Sequence, residues 1–120
     1  MKNKNNQYSN NVKYPDHIVT LEGKKFEEFI NKYPISLVDF WAPWCNPCKV
    51  MAPRLRRIST IYKDKIAFGK LNTQENQKIA KKYKIQGIPN FMFFKYGKKV
   101  NSLTGVRSVG DIKSIIEDFL

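Results

Sequence analysis

Cysteine is scarce in this chain. Only two cysteines occur among the 120 residues, Cys45 and Cys48, and only Asn46 and Pro47 separate them. Small secreted domains that depend on cross-links carry several cysteine pairs, so a disulfide scaffold of that kind is excluded. A chain of this length buries enough apolar surface to fold without one. The pair is therefore predicted to be catalytic, redox-sensing or metal-binding.

Long apolar runs are also absent. No stretch approaches the ~20 residues that span a bilayer. Residues 1–11 are rich in Asn and Lys, have no hydrophobic segment, and resemble neither a secretory signal nor an organellar presequence. We therefore expect a cytoplasmic protein with no membrane association. The composition predicts a disordered or extended tail over residues 1–14, followed by one domain over residues 15–120.

Acidic residues are few. Ten Asp and Glu face 22 Lys and Arg, which gives a net charge of +12. Most of the lysines are scattered along the chain, as is typical of a solvated surface, so we do not expect nucleic-acid binding. The dense cluster Arg54, Arg56 and Arg57 leaves a docking or assembly role open as an alternative. Attraction to acidic partner proteins fits either interpretation.

Strand and helix patterns alternate after the tail. Apolar runs predict strands, and apolar spacings of three and four residues predict helices. The order β-α-β-α-β-α-β-β-α indicates an α/β fold with three layers, in which helices cover both faces of a mixed sheet that ends in an antiparallel hairpin. The expected strands are His17–Leu21, Ile35–Trp41, Ile66–Leu71, Asn90–Lys95 and Lys98–Thr104; the expected helices lie around 24–33, 46–62, 75–83 and 109–119, with Pro53 kinking the second and Ser108 capping the last.

The cysteines directly follow an apolar strand and open a helix. Unpaired N–H groups and the helix dipole favour a thiolate at that position. We expect Cys45 at the exposed tip and Cys48 one turn further in, where it is more shielded. Cys45 would then attack a substrate disulfide, and Cys48 would attack Cys45 to release the reduced substrate. A zinc half-site is the alternative, but zinc needs three or four ligands and only His17 could add an imidazole, so we expect no metal.

Asp39 interrupts the otherwise apolar strand before the cysteines. A buried carboxylate there would have a raised pKa and could accept a proton from Cys48, directly or through water. Alternatively, Asp39 could simply reach solvent at the strand end. The local sequence does not decide between these two interpretations.

Together these residues resemble the thioredoxin family over residues 17–120. The segment from Leu37 to Pro53 is similar to the active-site region of that family, and further matches occur in the same order and spacing. These are Lys70-Leu71-Asn72, Gly87-Ile88-Pro89, Phe93–Gly97 and Gly105. The resemblance implies a thioredoxin-like fold and a small protein disulfide reductase.

The resemblance also implies roles for particular residues. Cys45 matches the attacking nucleophile and Cys48 the resolving cysteine. Asp39 matches a buried aspartate that assists proton transfer at the resolving thiol, and Lys70 matches a lysine that tunes the pKa of that aspartate. Pro89 matches a cis-proline opposite the cysteines.

The resemblance implies a substrate surface as well. The Ile88 backbone would pair with an extended substrate segment, and Trp44, Gly105 and Val106 would complete an apolar surface around Cys45. Trp41 would either pack beneath the loop or take part directly.

The implied partners are disulfide-containing proteins and a thioredoxin reductase that draws on a nicotinamide or flavin cofactor. The chain itself has no GxGxxG fingerprint, so we expect no bound cofactor. We also expect a monomer. Asn46 stands where the family usually has glycine, and this position influences the redox potential. A thiol oxidant or isomerase of the same fold therefore stays open, as does a binding subunit with a basic docking surface.

Overall fold

The computed structural model describes residues 12–120. In that part of the chain the observed order of elements is the predicted one. The elements are β1 (Val19–Leu21), α1 (Lys24–Lys32), β2 (Ile35–Trp41), α2 (Asn46–Ile61), β3 (Ala67–Asn72), α3 (Gln77–Lys82), β4 (Asn90–Lys95), β5 (Lys98–Thr104) and α4 (Val109–Glu117).

The five strands form one mixed sheet in the order β1-β3-β2-β4-β5. Strands β1, β3 and β2 are parallel, whereas β4 runs antiparallel to β2 and β5 antiparallel to β4. All of β2 except Trp41 is buried, as its near-continuous apolar sequence predicts for a central strand covered on both faces. Because β2 and β3 are parallel, their carboxyl ends lie together at one edge of the sheet.

Two apolar clusters cover the two faces of the sheet. On one face α2 and α4 pack over side chains that include Leu37, Phe91 and Phe93. On the other face α1 packs over Val38 and Phe40, with α3 at the margin. Neighbouring residues of β2 thus point to opposite clusters, as the period of a strand requires. The predicted three-layer α/β architecture is confirmed.

Local turns and caps follow the residue types. The Ser108 hydroxyl accepts a hydrogen bond of 3.0 Å from the Asp111 N–H, so the predicted cap of α4 is confirmed. Tyr96 and Gly97 form the hairpin turn with φ of 52° and 80°, the positive values that a tight two-residue turn needs. Pro53 lies inside α2. Helix α3 starts at Gln77 rather than at Glu75, because the Asn76 side chain bonds across to Gly23 and to Asn72 instead of continuing a helix.

Most of the predicted tail, residues 1–11, lies outside the described residues. Val12 and Tyr14 pack against the cluster under α1, and the Tyr14 ring stacks on Tyr33 with centroids 5.5 Å apart. From residue 12 onward, no helix combines the length and the apolar character that crossing a membrane requires.

Candidate active site

The cysteine pair lies at the edge of the sheet where β2 and β3 end. A short loop from Ala42 leads from β2 to Cys45, and α2 begins at the next residue. The N–H and hydroxyl groups of Thr73 both donate to the Trp41 carbonyl, at 2.8 and 3.1 Å, and tie the loop after β3 to the end of β2. The site thus lies where two neighbouring strands, β2 and β3, end and their loops begin.

Cys45 is the N-cap residue of α2. Its backbone is extended, with φ −90° and ψ 106°, and its Sγ accepts a hydrogen bond of 3.2 Å from the Cys48 N–H. Cys45 and Cys48 form a disulfide across a Cα–Cα distance of 5.3 Å. Pro47 fits the first turn, where its missing N–H costs nothing. After reduction, the same N–H and the helix dipole stabilise negative charge on Cys45.

The predicted difference in exposure between the two cysteines is wrong for this disulfide form. Cys45 is 3% and Cys48 5% exposed. Cys45 is covered because it packs with Ala42 and Ile88, and its Sγ lies 3.8 Å from the Ile88 carbonyl oxygen. The two cysteines differ instead in their place on the helix. Cys45 is the N-cap residue of α2, and its Sγ accepts the hydrogen bond from the Cys48 N–H.

Asp39 is buried beneath the cysteines, so the interpretation that it reaches solvent is wrong. The side chain is two positions before the end of β2, and its Oδ1 has no hydrogen-bond partner within residues 12–120. Burial raises the pKa of Asp39 to about 7, and the positive charge of Lys70 acts in the opposite direction. A carboxyl group with this pKa can take up or release a proton near neutral pH.

Lys70 lies beside Asp39 on the neighbouring strand. The two residues are register partners between β2 and β3. The Lys70 side chain is half-buried, and its Nζ lies 5.9 Å from the centre of the Trp41 ring. Its charge acts on Asp39 through space, since the two side chains form no ion pair among those present in residues 12–120.

A cavity connects these groups to the surface. It has a volume of about 180 Å³, and Asp39, Lys70 and Cys48 line it together with Lys49. The cavity is large enough for water. It therefore brings the buried carboxyl, the second thiol and solvent to one place.

The loop before β4 faces the cysteines. The Ile88–Pro89 peptide bond is cis, as the resemblance implies. The Gly105 N–H donates to the Pro89 carbonyl at 2.8 Å, which joins the loop after β5 to this loop. Gly105 has φ of +91°, a conformation that glycine adopts readily.

Two large apolar side chains, one on the loop after β2 and one on the loop after β5, are open to solvent. Trp44 is 68% and Val106 50% exposed. Trp41 packs against the cluster of Ala42 and the two cysteines, so packing beneath the loop is its position here. Of the residues expected to bind substrate, all lie on the loops around Cys45.

The junction between α2 and the loop after β5 was not expected from local patterns. The Arg107 N–H donates to Met51 Sδ at 3.3 Å, and Arg54 Nη1 donates to the Arg107 carbonyl at 2.9 Å. Arg54 therefore does not join Arg56 and Arg57 in an exposed cluster. Its side chain bonds to the Arg107 carbonyl and is half-buried, whereas Arg56 and Arg57 are exposed. Partners 53 and 56 residues apart leave no local signal in a single sequence.

The described residues offer no evident metal site. From residue 12 to residue 120, no three His, Cys, Asp or Glu side chains converge in a way that could bind a metal ion. His17 Nδ1 instead lies 3.0 Å from Asp16 Oδ1 in an exposed pair.

An N-capping cysteine, a second cysteine one turn later and a buried carboxyl with a raised pKa define a thiol–disulfide exchange protein. Comparisons with known proteins agree. The sequence profile of the thioredoxin family matches residues 17–118, and the chain belongs to that family. It is 39% identical over 102 residues to thioredoxin from Buchnera aphidicola subsp. Acyrthosiphon pisum, covering 84% of this chain and 94% of that protein.

Two further similarities support this assignment. The chain is 45% identical over 84 residues to the chloroplastic M-type thioredoxin of Chlamydomonas reinhardtii, covering 70% of this chain and 60% of that protein. The fold superposes on a mutant thioredoxin from Halobacterium salinarum with a TM-score of 0.82 and 26% identity, covering 90% of this chain and 95% of the other.

Proposed function

We propose that this protein reduces disulfide bonds in other proteins by dithiol–disulfide exchange. The observation that carries the proposal is the Cys45–Cys48 disulfide at the start of α2, with Asp39 lining the cavity that Cys48 also lines.

The reaction has two steps. The Cys45 thiolate attacks one sulfur of a substrate disulfide, so the substrate S–S bond breaks and a mixed disulfide forms. Cys48 then loses its proton and attacks Cys45 Sγ. The Cys45–Cys48 disulfide forms, the second substrate thiolate leaves, and two electrons have passed to the substrate.

Asp39 is the proposed proton acceptor for Cys48. Its pKa of about 7 suits a group that must change protonation during each cycle at neutral pH. The cavity supplies a route for this proton, directly or through one water. Lys70 limits how far burial raises the pKa of Asp39, and we propose this tuning as its contribution.

The oxidised protein needs an external supply of two electrons. We propose that a separate thioredoxin reductase provides them, that no dissociable cofactor binds this chain, and that the chain acts as a monomer. The cytoplasmic location stays a prediction, and fractionation of cells that express the tagged protein would test it.

Trapping of mixed disulfides tests the assignment of the two cysteines. The Cys48→Ser variant should accumulate covalent adducts with disulfide-containing proteins, and reducing agent should release them. Cys45→Ser is the matched control and should trap nothing. If Cys45→Ser traps adducts and Cys48→Ser does not, the two roles are reversed; if both variants retain full turnover, the disulfide reductase function is wrong.

The redox potential separates the reductase from an oxidant or isomerase. A reductase requires a potential more negative than the glutathione pool, whereas disulfide isomerases lie at about −180 mV. Equilibration of the purified protein with glutathione buffers measures it, with an Asn46→Gly variant to test the one departure beside Cys45. A value near about −180 mV would replace the reductase proposal with the isomerase alternative.

A further inference from the structure

Four basic side chains lie on the segments that build the cysteine site. Lys49 and Lys70 line the cavity that Cys48 lines, and Arg54 and Arg107 join α2 to the loop that carries Val106. We call these four residues the basic rim. They come from α2, β3 and the loop after β5, so no local run of charge contains them, and the fold brings them into two pairs.

Among residues 12–120, no ion pair neutralises the charges of the basic rim. Within residues 12–120 the ion pairs are Asp16 with His17 and Glu27 with Lys82, and none of these belongs to the rim. Asp39 is the single carboxylate that lines the cavity, and it is 6% exposed. The rim therefore presents positive charge to an approaching molecule.

The acidic residues near the rim form no ion pair with it among residues 12–120. Asp16 lines a depression together with Lys70, and its Oδ1 lies 3.0 Å from His17 Nδ1. Glu75 follows β3, but it lines a separate depression with Gly23 and Lys24 at the start of α1. Asp111 is on the first turn of α4 and is exposed, and its backbone N–H bonds to Ser108. Neither forms an ion pair with a rim residue among those found in the described chain.

Arg107 is held in place beside the exposed Val106. Its Nε donates to the Thr104 carbonyl at 3.1 Å, and its own carbonyl accepts the 2.9 Å bond from Arg54. A guanidinium has five N–H donors. The bond from Nε uses one of them, and the two terminal nitrogens keep the geometry that binds a carboxylate. Lys49 is exposed one residue after Cys48.

On the basis of the proposed reductase function, we propose that the basic rim selects disulfide substrates whose reacting cysteine has Asp or Glu within about three residues. An extended peptide advances about 3.3 Å per residue, so side chains one to three positions from the reacting cysteine lie within about 10 Å of it. Charges at such distances are attracted before full screening, since the screening length is about 8 Å at physiological salt. The attraction acts on the rate of association.

Three disulfide peptides that differ only in the residues flanking the cysteine test this inference. The flanks are Asp, Ser or Lys, and the second-order rate of reduction by the pre-reduced protein is measured at about 20 mM and about 500 mM salt. We expect the Asp peptide to react about tenfold faster than the Lys peptide at low salt, and high salt to reduce that ratio to within about twofold.

Two double variants that lose the same charge show whether charge selection depends on the basic rim. Lys49→Gln/Arg107→Gln should bring the Asp to Lys ratio close to one, and Arg107→Lys should largely preserve it. Lys98→Gln/Lys99→Gln is the control, because Lys98 pairs with Lys95 at the opposite end of the sheet from Trp41. It removes the same charge about 20 Å away and should leave the ratio unchanged.

The Ser peptide separates this inference from the proposed function. Changes in cysteine reactivity alter the rates of all three peptides together, whereas loss of charge selection alters only their ratio. Equal rates for the three peptides with the wild-type protein, or the same loss of selection in both double variants, would overturn the inference and leave the reductase function intact. If the wild-type protein reduces none of the peptides, the reductase function fails and the inference fails with it.

Discussion

The two halves of β2 bury side chains of opposite chemistry. Leu37 and Asp39 lie two positions apart on the same face of the strand, and they are 0% and 6% exposed. Leu37 packs in an apolar cluster between the sheet and the helices α2 and α4. Asp39 lies between that apolar cluster and the cysteines. Its Oδ1 has no hydrogen-bond partner among the described residues.

This difference separates stability from function within one strand. At Leu37 burial is favourable, because an apolar side chain leaves water for close packing. At Asp39 the same burial opposes ionisation and raises the pKa, which costs stability whenever the carboxyl is charged. Trp41 Nε1, a further buried polar atom without a partner in residues 12–120, lies at the same end of the strand. Ser36 Oγ, near the start of β2, also lacks a partner among the described residues, but of these three groups only Asp39 has a pKa that burial shifts, and it lies beside the reactive cysteines, where such a shift is useful.

The largest expected effect is in the apolar half of the strand. Leu37→Ala should lower the free energy of unfolding by about 4 kcal/mol, because it removes three carbons from a closely packed cluster and leaves a cavity. Urea denaturation of the oxidised protein measures the change. Ser36→Ala is the control on the adjacent buried position: its hydroxyl has no partner among the described residues, so its removal should change stability by less than about 1 kcal/mol. Equal losses for both variants would contradict the comparison.

The next largest effect has the opposite sign. The ordinary Asp pKa is 3.8 and that of Asp39 in the fold is about 7. Between these values the folded state binds a proton that the unfolded state has released, so stability falls as pH rises from about 4 to about 7. The full shift corresponds to roughly 4 kcal/mol, and a buried amide retains about 1 kcal/mol of the cost.

Asp39→Asn should therefore stabilise the oxidised protein by roughly 3 kcal/mol at about pH 8 and destabilise it by about 1 kcal/mol at about pH 4. Urea titrations across this range measure the effect, and the disulfide keeps the cysteines from titrating. Glu28→Gln, which changes an exposed carboxylate on α1, is the control and should leave the pH profile unchanged. A gain for Asp39→Asn that does not vary with pH would show that ionisation of Asp39 is not the cause.

A smaller effect is expected in the loop beside the cysteines. Gly105→Ala places a side chain at φ of +91°, although the new Cβ would meet no atom within 4 Å. The backbone conformation alone should cost about 1 kcal/mol. Gly110→Ala, on the first turn of α4, should instead stabilise by about 0.5–1 kcal/mol, because alanine favours helices. Thermal unfolding of both variants checks the opposite signs, and a loss in each would exclude this explanation.

The smallest effect concerns the charge beside Asp39. Lys70→Gln removes the interaction that lowers the pKa of Asp39, so that pKa should rise above its value of about 7, by less than about 1 unit. Carbon NMR of the Asp39 carboxyl across a pH titration measures it. Lys65→Gln, an exposed change between α2 and β3, should leave the titration unchanged. A fall in the Asp39 pKa on loss of Lys70 would reverse the assigned influence.

Much of the fold was predictable, because local patterns and the fold agree. The apolar run of β2, the spacing of Phe26, Phe29 and Ile30 in α1, and the Ser108 cap each indicate the observed element. The start of α3 was not predictable, because the Asn76 side chain bonds to Gly23 and Asn72 and delays the start of the helix to Gln77. The resemblance placed Ile88 beside Cys45, but the low exposure of Cys45 was not predictable, because it depends on packing between residues 43 positions apart.

The sequence by itself determined the chemical groups and their order: two cysteines at the start of a helix, a carboxylate in an apolar strand and an excess of basic residues. Only the tertiary structure decided their properties. Burial between the sheet and its helices raises the pKa of Asp39, the parallel pairing of β2 with β3 places Lys70 beside it, and three separate segments supply the basic rim. The physical reason is that desolvation and charge interactions depend on distance in space, which residue order alone does not specify.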